Sequence, residues 1–251
     1  MRIAVAGGTG LIGTLVVEIA ESDGHEVVVL ARSRGVDLVT GAGLDAALVD
    51  VEGVVDVTNI DTLGRAASVE FFSATTQHLL DAGQRAGVRH HVALSIVGVD
   101  RVDLGYYLGK RAQERLVTAG TVPWTILRAT QFHEFAAQML DRVPGPVAVL
   151  PRQRNQPVAA REVARALVDH VAGPPAGLAP ELAGPREENL ADMARRLLRA
   201  RGSRRRVLSL RLPMRGSGAM ALGALLPTTN GPRGVQTYAD WLIEQVCHRR
   251  P

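Results

Sequence analysis

Two sets of residues in this chain have the types and spacing for chemistry. The first is Gly7, Gly10 and Gly13, which follow at once on the apolar run of residues 3–6, Ile-Ala-Val-Ala. A short run of this kind reads as a buried strand. Residues 11–21 then carry Leu11, Leu15, Ile19 and Ala20 on one face of a helix. Strand, glycine turn and helix form the setting in which a dinucleotide fingerprint acts. Gly7 permits a turn with positive φ, Gly10 lets the backbone approach a pyrophosphate, and Gly13 lets the helix lie against the strand. The phosphates would meet unpaired N–H groups at the positive end of the helix, with Thr9, Leu11 and Ile12 around them. The second set is Ser95, Tyr106 and Lys110. A helix over residues 106–119 places Tyr106 and Lys110, four apart, on one face. Ser95 lies near the C-terminal end of a strand over 90–97.

Lys110 stands out for a reason of composition. Of the 29 basic residues it is the single lysine, which leaves 28 arginines. A position that keeps lysine in so arginine-rich a chain points to a need for a compact ammonium rather than a planar fork.

The elements that must position these residues can be read in order. A second strand covers 26–31 and is followed by Arg32, Ser33 and Arg34. An NAD site has an acid roughly 20 residues beyond the glycines to hold the ribose 2′-hydroxyl. Here two arginines stand there instead, and guanidinium groups suit a 2′-phosphate, so NADP(H) is expected in preference to NAD(H). Residues 36–40 read as a short third strand, 44–51 as a short helix and 53–58 as a fourth strand that ends at Asn59. An amphipathic helix over 69–86, the strand over 90–97, the helix over 106–119 and a strand over 122–128 follow. This alternation indicates an α/β fold of the Rossmann type, a doubly wound parallel sheet covered on both faces. Ligands of such sheets bind beyond the carboxyl ends of the strands. Gly7, Arg32, Thr58, Asn59, Ser95, Thr130 and Phe132 all fall there.

Beyond about residue 130 the pattern loosens. Helices are expected over 132–142, 162–172, 187–200 and 236–246, and short strands over 147–150 and 156–159. We therefore divide the chain into a nucleotide-binding core, residues 1–130, and a small, mostly helical substrate-binding portion, residues 131–251, interleaved with the core.

The combined pattern resembles the short-chain dehydrogenase/reductase family, and within it the atypical, NmrA-like branch that includes NAD(P)H:quinone oxidoreductase-type proteins. The stretches that carry the resemblance are Gly7-Gly-Thr-Gly-Leu-Ile-Gly13, Leu94-Ser-Ile-Val-Gly98, Tyr106-Tyr-Leu-Gly-Lys110 with Glu114, and Trp124-Thr-Ile-Leu-Arg-Ala-Thr-Gln-Phe132. The resemblance implies that Tyr106 gives a proton to a carbonyl reduced by hydride. It implies that Lys110 holds the nicotinamide ribose and lowers the tyrosine pKa, and that Ser95 orients the substrate oxygen. A nearby cation does favour phenolate, so the chemistry is consistent. Tyr107 is adjacent and three residues from Lys110, and competes for the role. The same branch contains nucleotide-binding sensors that turn nothing over, so an NADP(H)-binding regulator is the second reading.

Composition bounds the rest. A chain of 251 residues with 46% apolar content buries one α/β core. No run approaches the roughly 20 apolar residues of a membrane span, and the apolar start is too short for a secretion signal. Cys247 is the one cysteine, which excludes an internal disulfide and fits a cytoplasmic setting. The seven histidines show no metal-ligand spacing. His90 and His91 are expected at the surface, and His133 on a helix surface or in the pocket. The arginines at 195, 196, 199, 201, 204, 205 and 206 lack aromatic interleaving and read as a solvated face rather than a nucleic-acid site. Residues 214–226 are apolar and read as a cap on the pocket or an oligomer contact. The expected partner is a small-molecule substrate, with no nucleic acid and no membrane, for a monomer or homodimer.

Overall fold

The computed structural model describes all residues except 63, 212, 214 and 248–251. Its main sheet is built from β1 (Arg2–Ala6), β2 (Glu26–Leu30), β3 (Gly53–Asp56), β4 (His90–Ile96), β5 (Trp124–Ala129) and the two-residue β8 (Gly177–Leu178). The order is β2-β1-β3-β4-β5-β8, and every pair is parallel. Side chains alternate across it, as the period of two requires. Ile3, Val5, Val92 and Leu127 face one layer, where α1 (Leu11–Ser22) and α6 (Ala160–Ala172) bring Val16, Val163 and Leu167. Ala4, Ala6 and Val54 face the other, against Leu44 of α2 (Leu44–Ala47) and Leu79 of α3 (Arg65–Ala86). On that same face Ala93 and Ile126 meet Val117 of α4 (Gly105–Ala119). A sheet covered on both faces explains why its strands are continuously apolar.

A second core gathers α5 (Phe135–Asp141), α7 (Leu190–Ala200) and α9 (Tyr238–Cys247) around Leu140, Met193, Leu197, Tyr238 and Trp241. Two small sheets belong to this part. β6 (Val147–Pro151) pairs in parallel with β10 (Arg206–Leu210), and β7 (Arg154–Asn155) pairs antiparallel with β9 (Glu188–Asn189). The short α8 (Ser217–Ala221) packs Met220, with Leu225 just after it, on the loop that leads into α4. Position 214 of the expected apolar segment lies outside the described residues. No helix among the described residues is long and apolar enough to cross a membrane.

The sequence expectations fail at identifiable places. Residues 36–40 form a turn, not a strand, because the Asp37 carboxylate accepts the Val39 N–H at 2.8 Å and substitutes for a strand partner. The helix expected from 132 starts at Phe135, since Phe132 is bridged to Val158. The strand placed at 156–159 lies two residues earlier, at Arg154–Asn155. β10 emerges from a run of arginines that gave no strand signal. His90 and His91 are buried in β4 rather than at the surface. His90 Nε2 meets Thr125 Oγ1 at 2.8 Å, a side-chain partner that lets a polar residue sit inside the sheet. His133 is also core, packed on Tyr238 and Trp241, with its Nε2 3.2 Å from the Gln236 carbonyl.

Candidate functional site

The site lies along the carboxyl edge of the main sheet. At its first corner β1 gives way to the glycine turn. Gly7 has φ of +82°, and a Cβ there would stand 2.8 Å from the Val57 carbonyl oxygen, so the turn runs directly beside the end of β3. A Cβ on Gly13 would lie 2.1 Å from the Gly7 oxygen, which makes glycine the condition for α1 to start where it does. Gly10 is the N-cap of α1. No side chain caps that end, and no acid stands in its first turn. The helix therefore begins with N–H donors and positive potential left for an anion, flanked by Thr9, exposed Leu11 and buried Ile12.

At the end of β2, Arg32, Ser33 and Arg34 form a single 3₁₀ turn closed by Gly35. All three are exposed, and neither arginine has a carboxylate partner among the described residues. Two guanidinium groups without a carboxylate, beside the glycine turn, suit a phosphate.

Beyond β3, Asn59 is exposed and Thr58 is buried, with its hydroxyl given to Asp56 Oδ1 at 2.7 Å. Asn59 Oδ1 accepts the Tyr106 hydroxyl at 2.6 Å. Lys110, 3% exposed, donates to the Leu94 carbonyl at 2.6 Å and lies 4.8 Å from the centre of the Phe72 ring. Ser95 follows Leu94 and is equally buried, with no hydrogen-bond partner for its hydroxyl among the described residues. Lys110 is thus bonded to the residue that precedes Ser95 in β4. Tyr106 is oriented instead by Asn59.

The electrostatics follow from burial. It pulls the Lys110 ammonium down to about 8, against the opposing charges of Asp56 and Glu114. Burial also pushes the Tyr106 phenol up to about 12, with Arg142 pulling weakly the other way. This departs from the lowered tyrosine that the resemblance implies, because the lysine points at a backbone carbonyl and the phenol at an amide. Tyr107 is sealed among Val99, Val102, Met220 and Leu225, and its phenol lies well above its ordinary range.

Thr130 and Phe132 stand at the end of β5. The Thr130 hydroxyl is given to the Gln156 carbonyl at 2.6 Å, and Phe132 packs half-buried on the core. Both act first as struts between the sheet and the second lobe. Glu114 holds Arg128 through both carboxylate oxygens, at 2.9 and 2.6 Å, and so ties α4 to β5. Asp56 and Gln113, bonded to each other at 2.8 Å behind this edge, had no place in the sequence expectations. The available signal was an acid inside the apolar run of 53–58, at a position that must point into the fold.

Residues 7–174, well over half of the chain, match the NAD(P)H-binding family. Among curated proteins the chain is 32% identical over 160 residues to a (4-alkanoyl-5-oxo-2,5-dihydrofuran-3-yl)methyl phosphate reductase of Streptomyces griseus subsp. griseus, covering 57% of this chain and 51% of that one. It is 27% identical over 174 residues to bifunctional pinoresinol-lariciresinol reductase 3 of Thuja plicata, covering 60% and 55%. The matches span about half the length of these relatives. The fold is that of an NADPH-dependent quinone oxidoreductase from Escherichia coli solved with NADPH, with a TM-score of 0.71 at 18% identity over 98% of this chain and 99% of that one. With the glycine turn and the Ser95, Tyr106 and Lys110 set all inside the matched residues, this chain belongs to the NAD(P)H-binding family.

Proposed function

We propose that the protein is an NADPH-dependent reductase of a small, mostly apolar carbonyl, quinone or conjugated substrate. The observation that carries this reading is Lys110. The chain's one lysine is 3% exposed at the site edge, and among the described residues one hydrogen bond, to the Leu94 carbonyl, serves its three ammonium protons. Burial of a cation with donors to spare is unfavourable unless a ligand takes them. Ribose hydroxyls beside the end of β4 fit that need, and the neighbouring Ser95 hydroxyl has no partner of its own among the described residues.

The fit extends along the edge. The first N–H groups of α1 would hold the pyrophosphate, and Arg32 with Arg34 the 2′-phosphate. When bound, the nicotinamide supplies the hydride. Ser95 orients the oxygen of the substrate, and Tyr106 gives it a proton through Oη. For this the hydroxyl would turn from Asn59 to the substrate oxygen, and the phenolate left behind would take a proton back from water. Met220 of α8 and Leu225 pack on the start of α4 beside this corner. The Streptomyces relative is named as the reductase of an oxo-dihydrofuranyl methyl phosphate and the Escherichia coli neighbour as a quinone oxidoreductase, which support a conjugated acceptor.

A second reading has one observation in its favour. The Tyr106 hydroxyl is satisfied by Asn59, as it would be in an NADP(H)-binding regulator that needs no proton donor. Oxidation of NADPH against a panel of quinones, enones and ketones separates the two. Turnover that depends on Tyr106 supports the reductase, whereas tight NADPH binding with no turnover of any panel member supports the regulator.

A further inference from the structure

We propose that Asp56 is a positioning residue for Lys110: its carboxylate, held by Thr58 and Gln113, ties α4 to β3 and sets a fixed negative charge behind the ammonium. This rests on the cofactor reading, which gives Lys110 its task.

Asp56 is the one acid of its strand and has no exposed surface. Its Oδ1 accepts the Thr58 N–H at 3.0 Å and the Thr58 hydroxyl at 2.7 Å. Its Oδ2 accepts the Gln113 side-chain amide at 2.8 Å, and His91 Nε2 lies 4.0 Å from the same oxygen. Gln113 is three residues beyond Lys110 and seven beyond Tyr106, so all three share one face of α4. The bond from Asp56 therefore fixes the rotation and height of the helix that carries both site residues. A carboxylate ringed by neutral donors alone is costly to bury, and replacement by apolar side chains is often the more stable solution. Its presence calls for a cation that shares the space.

Lys110 is that cation. Two carboxylates act on its charge, Asp56 of β3 and Glu114 of α4 itself. The Phe72 ring of α3 has its centre 4.8 Å from Nζ. His91 of β4 lies 4.0 Å from Asp56, and burial lowers its pKa. Glu114 is already matched by Arg128 of β5. Asp56 is thus the carboxylate in this group whose charge no guanidinium balances among the described residues.

The single lysine makes the test direct. Protein isotopically labelled in lysine alone gives the NMR signal of one side chain, whose titration reports Lys110. Asp56→Asn keeps the shape and an acceptor for Thr58 while it removes the charge. We expect the Lys110 midpoint to fall by about one pH unit or more. Calorimetry should find NADPH binding roughly fivefold or more weaker than wild type at pH 8, yet within roughly threefold at pH 6. An unmoved midpoint, or equal weakening at every pH, overturns the proposal. If Asp56→Asn does not fold, Gln113→Leu releases Oδ2 without loss of charge. NADPH binding at least roughly threefold weaker then supports the clamp, and wild-type binding overturns it. A wild-type protein that binds no NADPH at any pH refutes the cofactor reading, while the lysine titration still decides the role of Asp56.

Discussion

Tyr106 gives its hydroxyl proton to Asn59 Oδ1 at 2.6 Å, across the gap between α4 and the segment that follows β3. The phenol is thereby held at the carboxyl edge of the sheet, aligned by a neutral amide that can release it. Tyr106→Phe removes the oxygen and little else. Turnover should fall by about 10²–10⁴, the usual worth of a general acid, while NADPH binding and folding persist. Tyr107→Phe should have a mild effect, since that ring packs in an apolar cluster with Met220 and Leu225. The measurement is NADPH oxidation with a quinone, an enone and a ketone. Full activity in both variants would mean that the reduced oxygen takes its proton from water.

Arg32 begins the 3₁₀ turn after β2, exposed and without a carboxylate partner among the described residues. A charge-assisted contact with a 2′-phosphate is worth about 1.5–3 kcal/mol, or roughly ten- to a hundredfold in affinity. Arg32→Ala should therefore weaken NADPH by that factor and leave NADH nearly unchanged. Titration of both proteins with both nucleotides decides the matter, and an equal loss for the two cofactors rejects the role.

Gly10 and Gly13 should respond differently to a side chain. At Gly10, where φ is −85°, a Cβ meets just the Gly7 oxygen at 3.4 Å, which is ordinary contact. Gly10→Val should fold with a near-normal melting curve and fail to bind NADPH, because the branches occupy the approach to the α1 N-terminus. Gly13→Ala should instead lower stability, by about 1–3 kcal/mol as overpacking does, since its methyl falls 2.1 Å from the Gly7 oxygen. Calorimetry that finds normal NADPH binding in Gly10→Val would place the nucleotide elsewhere.

These contrasts show what the sequence carried and what it did not. The sheet was legible because its strands are apolar on both faces and its glycines mark the first turn, so periodicity and punctuation agreed. Tyr106 and Lys110 were legible because helical spacing alone puts them on one face. Their partners were not. The spacing suggests that phenol and ammonium meet, but Lys110 turns to the Leu94 carbonyl and Tyr106 to Asn59, contacts separated by 16 and 47 residues in sequence. His90, His91 and His133 were misplaced for a related reason. His90 and His133 are each made compatible with burial by one partner, Thr125 or the Gln236 carbonyl, that lies far along the chain, and His91 sits 4.0 Å from Asp56, 35 residues away. The second lobe was least legible, because its short paired strands are stabilised by packing on α7 and carry no period of their own.

The buried lysine also sets a trade between stability and binding. Lys110 has its folded-state pKa pulled down to about 8, below the ordinary lysine value of 10.5. Between those two values the unfolded chain binds the proton that the folded chain has lost. Stability contributed by this group therefore rises with pH across that window and is lowest below pH 8, where the ammonium must be buried charged. The full difference is on the order of 3 kcal/mol. Lys110→Met, made together with Asp56→Asn so that no lone carboxylate stays buried, removes both charges and keeps both shapes, at the expense of the bond to Leu94. The variant should be more stable than wild type at pH 7 by roughly 1–3 kcal/mol, with the gap closing toward pH 10.5. It should also bind NADPH far more weakly, since the ammonium that meets the ribose is gone. Denaturant melts of both proteins at pH 7 and pH 10, paired with NADPH titrations at pH 7, read both effects. A variant less stable than wild type at pH 7 would show that the ammonium is held favourably, and that the burial of Lys110 needs no ligand to explain it.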